Sequence, residues 1–264
     1  MPFMPSLSAR LRLLGLLTWR DITSRYRGSA IGLIWTFITP VLLLGVYTVV
    51  FSGIFQARWS TDSGSAADFA LQLFAGLIVH GLAADVLSRA PGLIASNASF
   101  VKKVVFPVEV LPLVITLSAL FHGAISIIIL VMFYVFIHGH VNATVLFLPF
   151  VILPYVLFLA GVGWFVAAIG VFVRDVSQIM GFVITLLLFL SPIFYPASAL
   201  PEQWQMVMAL NPLTAIIEQV RAVVLYGQPP DPVTLGLYSL FAIAVSGAGA
   251  LVFSKLRGEF ADVL

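Results

Sequence analysis

The sequence predicts an all-α integral membrane protein with six transmembrane helices per subunit. Three observations lead there. Of 264 residues, 61% are hydrophobic and only 9% are charged, whereas a soluble domain carries about 25% charged residues. Six stretches approach or exceed the ~20 apolar residues that carry a helix across a bilayer. Lysine and arginine fall almost wholly in alternate connections between those stretches. The composition also excludes classes of function. With no cysteine there are no disulfides, thiolate nucleophiles or Cys-held metals. A net charge of +2 gives no reason to expect a nucleic-acid partner.

Residues 1–30 are expected to form a cytoplasmic amphipathic helix at the membrane interface. Leu7, Leu11 and Leu14 share a stripe, with Arg12 and Arg20 roughly opposite. A plain basic flank that only fixes orientation is the alternative. The start does not read as a cleavable signal peptide. Its apolar stretch, Leu13 to Trp19, is short and runs into Arg20, Asp21, Arg25 and Arg27.

Residues 31–264 form the membrane domain, with spans at about 31–55, 69–87, 108–137, 145–172, 179–196 and 233–253. Pro112, Pro149 and Pro154 predict kinks in the third and fourth spans. The fifth is short and ends in Ser191-Pro192-Ile193-Phe194-Tyr195-Pro196. Residues 197–232 are too polar to span and too apolar for a free loop. They read as short re-entrant helices on the outer side, broken at Asn211-Pro212, with Glu218 and Arg221 spaced to pair.

The connections 1–30, 88–107, 173–178 and 254–264 hold Arg10, Arg12, Arg20, Arg25, Arg27, Arg89, Lys102, Lys103, Arg174, Lys255 and Arg257. The opposite set holds only Arg58 and Arg221. The positive-inside rule then puts both termini in the cytoplasm.

Ionisable groups inside spans are functional candidates because they are costly there. They are His80 and Asp85 in span two, and Glu109 and His122 in span three. Asp85 and Arg89, four residues apart, are expected to pair with each other. Two mid-span histidines are thin support for a proton relay. His138 and His140 lie in an outer loop and are a poor metal site. Ser118 and Ser126 neighbour His122, but same-helix serines usually bond their own backbone. No catalytic constellation and no G-x-x-x-x-G-K-[ST] loop is present, so the chain is not read as an enzyme. It carries no cofactor of its own, and any ATP hydrolysis belongs to a separate subunit. Aromatic residues are plentiful. Trp35, Tyr47 and Phe51, with Phe194 and Tyr195 at the outer end of span five, can face a sugar or simply face lipid.

The run Trp19-Arg20-Asp21-Ile22-Thr23-Ser24-Arg25-Tyr26-Arg27, continuing to Gly32 and Trp35, resembles the entry of the type-2 ABC export permeases. Pro40 completes their W-x-x-x-x-P start to span one. Phe106-Pro107-Val108-Glu109, Phe172-Val173-Arg174-Asp175 and Ser191-Pro192 through Asn211-Pro212 resemble three further family motifs in order. Ile31, where the family often has leucine, is a mild departure. The six-span form without a large soluble insert resembles the exporters of O-antigen, capsule and teichoic acid. The resemblance implies a permease of the bacterial inner membrane that moves a lipid-linked polysaccharide, with O-antigen as first guess. It implies a homodimer and two copies of a separate ABC ATPase that holds ATP and magnesium. Arg20, Asp21, Arg25, Arg27, Lys102, Lys103, Arg174 and Asp175 would then couple to that ATPase. Trp35, Tyr47, Phe51, Phe194 and Tyr195 would line the path, and Glu218 and Arg221 would sit at an outer gate. A drug-exporting ABC permease, a proton-coupled carrier and a channel are the alternatives.

Overall fold

The computed structural model describes residues 7–50, 65–101, 106–196 and 201–264, and among these the regular structure is entirely helical. The order is α1 (Leu7–Ser24), α2 (Trp35–Thr48), α3 (Ala66–Arg89), α4 (Leu93–Ser96), α5 (Ala98–Val101), α6 (Val110–His138), α7 (Leu148–Phe172), α8 (Val176–Leu190), α9 (Glu202–Ala209), α10 (Pro212–Val224), α11 (Pro232–Leu256) and α12 (Phe260–Val263). Phe51, Arg58, Lys102 and Lys103 lie outside the described residues.

Helices α3, α6, α7 and the α11–α12 stretch are long and apolar enough to cross a membrane. The first and fifth expected spans are apolar but shorter among the described residues, at Gly32–Thr48 and Val176–Leu190. Fifteen residues of α8 rise roughly 22 Å, less than the ~30 Å hydrocarbon core. The fifth segment therefore starts and stops earlier than expected. Ser191 is extended (φ −100°, ψ 154°), as steric conflict with the ring of Pro192 favours.

Two of the three expected proline kinks lose their cause. Pro112 is the third residue of α6 and Pro149 the second of α7. There the missing N–H has no intrahelical acceptor in any case. Only Pro154 sits inside its helix. At the other end of α6, Gly139 takes the left-handed conformation (φ 74°) that lets its N–H close on Val135 O at 2.8 Å.

Helix α3 is the most enclosed of the long helices. Helices α2, α6, α8 and α10 all pack on it, while α11 packs mainly on α7. That last contact depends on small residues. A Cβ on Gly249 would stand 2.1 Å from Gly161 O, and one on Gly161 2.5 Å from Ser246 Cα. Such close backbone approach is what drives helix association where lipid removes the hydrophobic term. Leu237, Leu240, Ile243 and Leu251 of α11 are exposed, as a lipid-facing surface would be.

Helices α9 and α10 meet at 94° across Asn211, at the predicted break. The Asn211 side chain accepts the N–H of Leu213 and donates to Leu190 O (3.0 Å) and Ser191 Oγ (2.9 Å). One residue thus starts α10 and ties it to the end of α8. The two helices differ in burial. Met208 alone is buried on α9, whereas Leu213, Ile216, Ile217, Val220, Val223 and Val224 of α10 join the core.

Candidate functional site

Between α2 on one side and α3 and α6 on the other lies a cavity of about 420 Å³. Its walls are mainly apolar, including Pro40, Leu43, Phe74, Leu77, Ile78 and Leu82. Trp35 and Tyr47, two of the residues expected along a transport path, line it. Its polar lining includes Arg25, Tyr26, Asp85 and His122.

That polar lining differs from expectation. Asp85 and Arg89 do not pair with each other. Arg25 donates to Asp85 at 2.6 Å, and Arg89 donates to Asp21. Residues four apart share a helix face, so α3 presents both Asp85 and Arg89, which meet Asp21 on α1 and Arg25 in the turn just after it. Opposite faces at close range outcompete the loose local pair. Asp21 is half-buried, which favours the neutral acid. The Arg89 guanidinium and the charges of Arg89 and Arg25 outweigh this and hold its carboxyl below the usual range.

His122 continues the network. Its Nδ1 lies 2.7 Å from Ser118 O, which can only accept, so Nδ1 carries the proton. In the neutral ring Nε2 then accepts from the Tyr26 hydroxyl at 3.0 Å. His80 likewise donates Nε2–H to Ile184 O at 3.0 Å, joining α3 to α8. Of the two serines beside His122, Ser126 bonds back to His122 O at 3.0 Å as expected, while the buried Ser118 hydroxyl faces the Asp21 carboxyl and helps to hold its pKa low.

The packed face of α1 is rotated from expectation and keeps only Leu14 of the expected stripe among its packed leucines. Leu13, Leu14 and Leu17 pack on Val110 and Val114 of α6, while Leu11 is exposed along with Leu16 and Trp19. The guanidinium of Arg20 stands 5.5 Å over the Phe100 ring on α5. Arg20 and Arg27 are exposed, as are Arg174 and Asp175 in the turn between α7 and α8. These groups gather at one end of the bundle, where Arg257 also pairs with Glu109 at 3.4 Å.

At the opposite end Glu218 and Arg221 pair at 3.1 Å, as their spacing suggested. Arg221 is fully buried and also donates to Gln72 O and Ile193 O. It ties α10 and the Ser191–Pro196 turn to α3. Gln72 itself accepts from the Tyr226 hydroxyl at 2.6 Å. Nearby, Phe194 stacks on Phe189 with centroids 6.1 Å apart, and the Tyr195 hydroxyl donates to Phe189 O at 2.6 Å. His138 pairs with Asp68 at 2.9 Å. No cluster of three or more His, Asp or Glu that could hold a metal occurs among the described residues.

Gln72 and Asn142 escaped the sequence reading because neither is charged. Asn142 donates to Val224 O at 3.0 Å and so holds the C-terminal end of α10. An amide within an apolar span is the signal that would have found Gln72.

Among the described residues, long apolar helices make a bundle of membrane-spanning type, with a cavity beside α2. The chain belongs to the ABC-2 type transporter family, whose model matches residues 12–225. Among its relatives is the O-antigen export system permease protein RfbA of Myxococcus xanthus, 26% identical over 248 residues and 93% of each chain. The protein of the same name from Klebsiella pneumoniae is 26% identical over 254 residues, covering 96% of this chain and 95% of its own. The polysialic acid transport protein KpsM of Escherichia coli is 24% identical over 241 residues, 89% of each.

Proposed function

We propose that this chain is the permease subunit of an ATP-driven exporter that moves a lipid-linked polysaccharide, O-antigen first, across the bacterial inner membrane. In this reading it forms six spans, with α2 as the first and α8 as the fifth, and a re-entrant α9–α10 pair on the outer side. Both termini are cytoplasmic. Two copies assemble with two copies of a separate ATPase. The exposed Arg20, Arg27, Arg174 and Asp175 are contacts for that ATPase, joined by Lys102 and Lys103.

The observation that carries the reading is the surface that α2 and α8 offer. Both pack on α3, and neither contains Asp, Glu, Lys, Arg or His. Leu42 and Val46 of α2, and Phe182, Leu186 and Phe189 of α8, are exposed. A polymer must slide past its wall, and a charge there would hold it or its counterions. Apolar C–H faces of sugars stack on rings without such binding. A second copy placed on this surface would enclose a path lined by Trp35, Tyr47 and Phe51, ending at Phe194 and Tyr195.

Loss of the chain should abolish surface O-antigen and leave the lipid-linked polymer inside the cell. Restored O-antigen on complementation supports the reading. Restored capsule instead, which the likeness to KpsM favours as the second reading, would change the polymer and keep the class. Unaltered surface polysaccharide in the deletion strain would refute both.

A further inference from the structure

The ion pairs that α3 makes with α1 and the turn after it run in opposite order along the chain. Asp21 meets Arg89 and Arg25 meets Asp85. Helix α1 packs along α6, and its link to α3 is made chiefly through these side chains. Two of them, Arg25 and Asp85, line the cavity. Tyr26, which lies beside Arg25, is bonded to His122 there. The turn that follows α1 is therefore held against the cavity wall through polar contacts.

Exposure separates a link that can open from one that cannot. Side-chain exposure is 29% and 21% for Arg25 and Asp85, and 28% and 19% for Arg89 and Asp21. Charges that already touch water, as at Arg25 and Asp85, exchange partners for solvent at little cost; Asp21 Oδ2 and Arg89 Nη1 are buried. The fully buried Arg221 would be left as an uncompensated charge.

We propose that Asp21, Arg25, Asp85 and Arg89, with Tyr26 and His122, form a latch through which α1 and the turn after it open and close this side of the cavity. They are positioning residues for transport. Their charges are committed within the chain, while Arg20 on α1 and Arg27 in the turn after it remain exposed to be moved by a partner. The proposal rests on the permease reading only in assuming that the cavity belongs to the path.

The chain has no cysteine, so Ser126→Cys supplies a single thiol on the cavity wall. Its modification rate by a small cationic methanethiosulfonate is measured on the full chain in lipid nanodiscs. Asp85→Asn or Arg89→Gln should each raise the rate about threefold, as loss of a partly exposed ion pair allows. Exchanging one pair alone would put like charges four residues apart. All four are therefore exchanged together, as D21R, R25D, D85R and R89D, and this variant should return to the slow rate. Unchanged rates in the single variants, or a fourfold exchange no slower than the singles, would overturn the latch. If labelling responds as expected but export in the same variants is unaltered, the latch stands and the cavity leaves the transport path.

Discussion

Arg221 of α10 donates both Nε and Nη2 to the backbone carbonyl of Gln72 on α3, at 3.1 and 2.9 Å. A helical carbonyl near the start of α3 is thus bonded by a planar guanidinium that also reaches Ile193 O and Glu218. This geometry makes Arg221 a structural tie, where sequence spacing alone suggested a gate residue.

Removing the guanidinium leaves Gln72 O and Ile193 O without this donor in a dry site. Arg221→Met should destabilise the fold by about 1–3 kcal/mol. Arg221→Lys keeps the charge but loses the fork, and should recover only part of this. Thermal unfolding in detergent checks both. A melting curve for Arg221→Met equal to that of the parent would contradict the assignment.

The α7–α11 seam makes a second prediction. The atoms facing Gly249 belong to the Gly161 backbone and cannot swing aside. Gly249→Val must part the helices, at about 1–3 kcal/mol for overpacking. Gly247, two residues earlier, faces open space, so Gly247→Val should be nearly silent. The yield of folded, monodisperse protein distinguishes them.

Helices and their breaks were legible because they follow from local chemistry. The turn at Asn211-Pro212 and the first helix over Leu7–Ser24 needed only apolar patterning and a proline. The end of α8 was available too, in the restriction Pro192 places on Ser191. Partners distant in sequence were not legible. Arg25 and Asp85 are 60 residues apart, and Asp21 and Arg89 are 68. Spacing alone favoured Asp85 with Arg89, since only packing brings α1 against α3. The acceptors for Arg221 are backbone carbonyls, which every residue has and no motif marks.

Acid should loosen α1. The Asp21 carboxyl is held below its ordinary value in the folded protein by Arg89 and Arg25, against the opposing effect of burial. A depressed folded pKa gives stability that is complete above the unfolded value of about 3.9 and is lost as pH falls through the folded one. A spin label at Leu16→Cys, on the exposed face of α1, should keep constant mobility from about pH 5 to pH 8 and gain mobility below about pH 4. Adding Asp21→Asn should remove that acid step and leave the label more mobile throughout. An identical step in the Asp21→Asn variant would assign it to another acid.

Orientation can be read with single thiols and an impermeant maleimide on intact spheroplasts. Gln228 is exposed between α10 and α11, and Ser177 and Ser254 are exposed at the end that carries α1. Gln228→Cys should label from outside, and Ser177→Cys and Ser254→Cys only after the membrane is opened. External labelling of Ser177→Cys would invert the assigned topology.

The aromatic residues allow ring and hydroxyl to be separated. Tyr47 contributes to the cavity wall beside α2. If its ring is a stacking surface, Tyr47→Ala should cut export several-fold at normal expression, and Tyr47→Phe should restore it, since C–H faces meet the ring and not the oxygen. Tyr195 differs because its hydroxyl is engaged with Phe189 O. Tyr195→Phe removes that hydrogen bond, a loss of about 1 kcal/mol, and frees the ring from the end of α8. The phenylalanine variant should therefore export less well than the parent, and Tyr195→Ala less again. Leu240→Ala, on the exposed face of α11, should leave export unchanged and so serves as the lipid-facing control. Surface polysaccharide and membrane content of the protein are measured together in each strain. Full polysaccharide from the Tyr47→Ala, Tyr195→Ala double variant would mean that these rings face lipid and that the polymer passes elsewhere.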